Sequence, residues 1–165
     1  MCVYHAEKSH TVTKDLIARW LRYGFVITLH AFVEGLLKRI CDVAASKKGV
    51  NLPRSPKTPE GEWKEMSRAE FYFTKHLYLQ WPGKCVQLKE LKGLRNLRNA
   101  IVHDDGRLLG DKRTAEISKH FDAKRLSEDE EGRVQITPKY CQPIVEAAVK
   151  FFTAIRQFNE TTELF

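Results

Sequence analysis

The residues best equipped for chemistry lie together in one segment, Gly93-Leu-Arg-Asn-Leu-Arg-Asn-Ala-Ile-Val-His-Asp-Asp-Gly106. Drawn as a helix at about 100° per residue, Leu94, Leu97 and Ile101 fall within roughly 60° of one another and make an apolar face. Arg95, Arg98, Asn99 and His103 occupy the other side, over an arc of roughly 140°. Asn99 and His103 stand one turn apart and nearly in line, whereas Arg98 sits at the edge of the arc, nearest the apolar face. Relaxation of the last turn before Gly106 would bring His103 closer to Arg98.

These residue types suit a phosphodiester. Histidine as a residue type exchanges a proton near pH of about 6.5, so it serves as general base or acid close to neutrality. Arginine offers a permanent forked charge for a phosphate and for the charge that grows in the transition state. Asparagine hydrogen-bonds a phosphate oxygen or fixes an imidazole in one tautomer. RNA carries its own nucleophile, the 2′-hydroxyl, so a base and a cationic clamp suffice without a metal and leave a 2′,3′-cyclic phosphate. A purely structural use of the same residues stands beside this one. His103 would then hydrogen-bond the last free carbonyls of its helix, worth roughly 0.3–1 kcal/mol, while the arginines are simply solvated. Spacing alone does not separate the two.

The run Arg98-Asn-Ala-Ile-Val-His103 resembles the signature of the HEPN superfamily, an Arg followed directly by a polar residue and then by a His a few positions on. Asp104-Asp-Gly106 is similar to the short Asp/Asn-Gly turn that follows the motif in many members. Phe32-Val-Glu34-Gly-Leu-Leu37 resembles their earlier helix, which bears an acid among apolar residues. The resemblance spans about residues 12–158, and the motif is its specific part.

The resemblance implies a metal-independent endoribonuclease that needs no cofactor. His103 would act as general base or acid, Arg98 would clamp the phosphate, and Asn99 would orient one of them. It further implies a homodimer in which two motifs meet across a two-fold axis, so that Arg98 of one chain serves beside His103 of the other. A toxin or phage-defence role goes with it, as does an antitoxin or nucleotidyltransferase partner. Two other readings remain open: a module that binds RNA or a nucleotide without cutting, and a structural partner of a nucleotidyltransferase. Arg95, one turn before Asn99, suits an RNA-backbone contact as well as plain solvation. Glu34 either supports the site from the first helix or makes a polar contact in the core.

Helices must position these groups. Thr13 to about Ser46 contains no proline, and Leu16, Ile17, Trp20, Leu21, Gly24, Phe25, Leu29, Phe32, Leu36, Leu37 and Ile40 recur at three- and four-residue spacing, which predicts a buried stripe. The length suggests a kink near Gly24, and Gly49 is a suitable stop. Pro53, Pro56, Pro59 and Gly61 make 51–62 an irregular loop. Ser67-Arg-Ala-Glu70 matches a capping box for a second helix that ends at Trp81-Pro82-Gly83. A third helix runs from about Val86 to His103 or Asp104, with Gly106 as its stop. A short helix is expected around Thr114 to Phe121, followed by an extended segment at Arg133–Ile136. Thr137-Pro138 then opens a last helix, with Ile144, Val145, Ala148, Val149, Phe152 and Ile155 as its apolar face. The expectation is one all-α domain over 1–165, an up-and-down bundle of about four main helices with one short extra helix and a small hairpin.

Composition sets the outer limits. Hydrophobic residues at 42% exclude a disordered chain, and the formal net charge of +7 favours phosphate-bearing partners such as RNA. Cys2, Cys41, Cys85 and Cys141 form no CxxC pair and are expected to be free thiols. His30 and Glu34, one turn apart, are a weak ligand pair, and no metal is expected. The start MCVYHAEKSH lacks a basic-then-apolar layout, and no run approaches about 20 consecutive apolar residues. The expectation is a cytoplasmic protein with no membrane contact.

Overall fold

A computed structural model describes residues 2–53, 65–83, 85–108 and 125–160. The fold is all-α with one small hairpin. Its elements are α1 (Cys2–Lys48), α2 (Glu65–Phe71) continued by a π-helical turn (Tyr72–His76), α3 (Val86–Asp104), β1 (Leu126–Glu128), β2 (Val134–Ile136) and α4 (Pro138–Phe158). Most of the proline-rich 51–62 and the expected helix at Thr114 to Phe121 lie outside the described residues. Contacts divide the chain into two compact units, one within Met1–His30 and Glu90–Val145, the other within Ala31–Lys89 and Glu146–Phe165.

The first unit holds the hairpin. β1 and β2 pair antiparallel with Leu126 opposite Ile136 and Glu128 opposite Val134. The Asp129 carboxylate closes the turn by accepting the amides of Glu131 (3.0 Å) and Arg133 (2.8 Å), an arrangement that short acidic side chains favour. Its other oxygen takes Arg19 of α1 at 3.1 Å. Thr137 ties the start of α4 to the hairpin, because its hydroxyl donates to the Arg125 carbonyl at 3.1 Å. The helix begins at Pro138, as the Thr-Pro signal predicts.

The second unit closes around Asn159. Its side-chain oxygen accepts the Gln80 amide at 3.0 Å, and its nitrogen donates to the carbonyls of Gln80 (3.1 Å) and Ile155 (2.7 Å). Trp81 stands edge-on to Phe73 and to Phe151, with both ring centroids at 5.4 Å. Such edge-to-face contacts add to the area that the rings bury.

Four expectations about the helices need correction. The buried stripe of α1 is Tyr23, Val26, His30, Val33, Leu37, Cys41 and Ala44, whereas Leu16, Ile17, Trp20, Leu21 and Phe32 are exposed. Apolar residues surround this helix almost completely, so the sequence does not distinguish the face that packs. α1 also runs unbroken through Gly24. By length and composition Thr13–Lys48 is sufficient to cross a membrane, contrary to the run-length expectation, a property that core helices of soluble proteins share. Finally, α2 is already helical at Glu65, so Ser67 lies inside it rather than at its cap, and the helix stops at the π-helical turn before Trp81. There Tyr78 takes a left-handed φ of 53° and the Leu79 amide reaches back to the Phe73 carbonyl at 2.8 Å.

Candidate active site

α3 forms where the sequence predicts it. Leu88, Leu91, Leu94, Leu97 and Ile101 are buried at three- and four-residue spacing, which leaves the polar positions half-buried or exposed. The helix ends sharply. Asp105 and Gly106 both take positive φ, 53° and 77°, and the Gly106 amide reaches back to the Ala100 carbonyl at 3.0 Å. The Gly106 carbonyl accepts the Val134 amide (2.9 Å), and the Val134 carbonyl accepts the Tyr23 hydroxyl (2.8 Å). Asp105 is held by Arg133 at 3.0 Å. The turn after the motif is therefore fastened to α1 and to β2.

Arg95, Arg98 and Asn99 are half-buried and His103 is exposed in the last turn. Arg98 Nη1 donates to Asn99 Oδ1 at 2.9 Å, which leaves the Asn99 amide protons as donors. Arg95 reaches Asn96 at 3.5 Å, and its buried Nε meets no acceptor among the described residues. Neither Arg95 nor Arg98 meets a carboxylate among the described residues. Arg98 and His103 are not brought together within one chain. The helix stays regular through Asp104, without the relaxation of the last turn that would bring His103 closer to Arg98. The two groups remain about 140° apart around the axis and about 7.5 Å apart along it.

One buried side chain outside the motif feels the charge of this helix face. His30 lies on the buried stripe of α1, and burial, followed by the charges of Arg98 and Arg95, lowers its imidazole from 6.5 to about 4. The sequence offered His30 with Glu34 as a weak metal-ligand pair or, more simply, as a polar contact in or beside a helical core, and the buried position of His30 fits the second. A polar residue on a core stripe was the signal available, but it required knowing which stripe is buried. Glu34 belongs to the second unit, where it lines a cavity of about 360 Å³ with Lys38, Cys41, Asp42, Arg68 and Tyr72. Among the described residues no three His, Cys, Asp or Glu side chains group closely enough to hold a metal ion. Cys41, Cys85 and Cys141 are free thiols.

Fold and site together define an all-α chain with a cationic helix face behind a fastened Asp-Gly turn. Compared with models of known families, with curated proteins and with solved structures, the chain has no match.

Proposed function

We propose that this chain is a metal-independent endoribonuclease of HEPN type, acting in a toxin or phage-defence role. The observation that supports it best is the pair of guanidiniums, Arg95 and Arg98, which meet no carboxylate among the described residues. Two like charges three residues apart on a helix repel, and a phosphate between them removes that cost. Arg98 clamps the scissile phosphate, and the Asn99 amide, whose oxygen is occupied by Arg98, donates to a phosphate oxygen. His103 takes the proton from the 2′-hydroxyl, whose oxygen attacks phosphorus. The 5′-oxygen leaves and takes a proton from water, and a 2′,3′-cyclic phosphate remains. Because Arg98 and His103 point in different directions on one regular helix, the imidazole that meets Arg98 comes from a second copy of the chain.

Purified protein is expected to cut RNA in EDTA, and His103→Ala is expected to remove cleavage while leaving the fold intact, because that side chain is exposed. Cleavage that requires a divalent ion, or that survives His103→Ala, would rule the reading out. A second reading, an RNA- or nucleotide-binding module, draws on the same regular helix, since within one chain the base stays away from the clamp. RNA bound with steep salt dependence and recovered whole would favour it.

A further inference from the structure

The second unit contains a cavity that the proposed chemistry does not use, about 360 Å³ in volume. That lies at the small end of the roughly 300–1,000 Å³ of small-molecule sites. The buried part of its lining is apolar. Cys41 and Ala69 are almost fully enclosed, and the Cys41 thiol, pushed up to about 12 by burial and then by the Asp42 carboxylate, is uncharged near neutrality. Leu52, Pro53 and the Tyr72 ring extend this surface. The Tyr72 hydroxyl donates to the Pro53 carbonyl at 2.5 Å, which ties the 52–53 segment to the π-helical turn. The charged part of the lining has both signs, Glu34 and Asp42 beside Lys38 and Arg68. An anion would be repelled by the carboxylates and a cation by the bases, whereas a zwitterion suits both. Lys38 and Asp42 are exposed, one turn apart on α1, and form no hydrogen bond or ion pair among the described residues. A lysine four residues before the acid is the less favourable order for such a pair. Both charges therefore stay open to a ligand.

We propose that this cavity binds a free α-amino acid with an apolar side chain, its ammonium on Asp42, its carboxylate on Lys38 and its side chain against Cys41, Ala69 and Leu52. The site is independent of the motif on α3 and of RNA cleavage. Only the apolar part of the ligand enters the buried lining. Its two charges stay at the exposed Lys38 and Asp42, so neither is taken out of water without an opposite charge beside it.

The test is a calorimetric titration of the full chain with L-leucine and three analogues that each lack one feature. These are 3-methylbutylamine without the carboxylate, 4-methylpentanoate without the ammonium, and glycine without the side chain. Leucine is expected to bind saturably, and each analogue about tenfold more weakly or less. Lys38→Gln and Asp42→Asn keep the shape of exposed side chains, so the fold is expected to survive both. Each should weaken leucine about tenfold. Lys38→Gln should leave 3-methylbutylamine binding as it was, and Asp42→Asn should do the same for 4-methylpentanoate, because the contact removed is one that the analogue never made. Arg39→Gln, next to Lys38 but outside the lining, is expected to change nothing. No saturable leucine binding up to about 10 mM would overturn the proposal. So would glycine binding as well as leucine, which would reduce the site to surface ion pairing. Affinity that drops equally in Arg39→Gln, or that ignores both Lys38→Gln and Asp42→Asn, would also reject it.

Discussion

The hydroxyl of Tyr23 fills the space beside the α-carbon of Gly106, so that a β-carbon at that position would overlap it. Gly106 also needs its φ of 77°, a conformation that side chains with a β-carbon rarely adopt. Gly106→Ala is therefore expected to cost about 2–4 kcal/mol, from backbone strain and overpacking together. Urea denaturation would measure it, and stability equal to wild type would contradict the packing. Tyr23→Phe, which removes only the donor to the Val134 carbonyl, is expected to cost about 1 kcal/mol.

The separation of Arg98 and His103 on α3 gives a complementation test. Arg98→Ala and His103→Ala proteins are each expected to be inactive. Mixed in equal amounts and allowed to exchange subunits, they should recover about a quarter of wild-type cleavage, because half the dimers are mixed and each holds one intact composite site. A site built within one chain would recover none.

Acid should unfold the protein partly through His30. Burial and the charges of Arg98 and Arg95 place its folded value near 4, below the ordinary 6.5. The unfolded chain therefore binds the proton more readily, and the stability involved is complete above 6.5 and lost as pH falls through about 4. Melting temperatures of wild type are expected to fall faster with acid across that window than those of His30→Gln. Parallel curves would contradict the assignment.

Asn159 is 1% exposed and joins the backbone of Gln80 to the end of α4 by three hydrogen bonds. Asn159→Ala leaves the part-buried backbone groups of Gln80 and the buried carbonyl of Ile155 without these partners, and a cost of about 1–3 kcal/mol is expected by chemical denaturation. Asn159→Asp should be worse, since it turns the side-chain donor into an acceptor facing two carbonyls. An aspartate variant as stable as wild type would contradict the bonding pattern.

Local signals in the sequence determined much of this protein. The leucines of α3 give one face, so the core side of the motif helix and the outward turn of His103 could be read directly. Gly49, Gly106 and Thr137-Pro138 mark helix ends because each depends on a few neighbouring torsions. Only the tertiary structure decided which way α1 and α4 face. Both have more apolar residues than one face needs, so periodicity admits several stripes, and packing chose Tyr23, Val26 and His30 over Leu16, Trp20 and Leu21. In α4 it chose Ala147 and Phe151 over Val145 and Val149 while keeping Ile144, Ala148 and Ile155. The same choice placed His30 in the field of the motif arginines and Tyr23 against Gly106, since both relationships join residues far apart in the chain. Helical spacing describes what one segment offers, whereas burial depends on what the other segments bring to it.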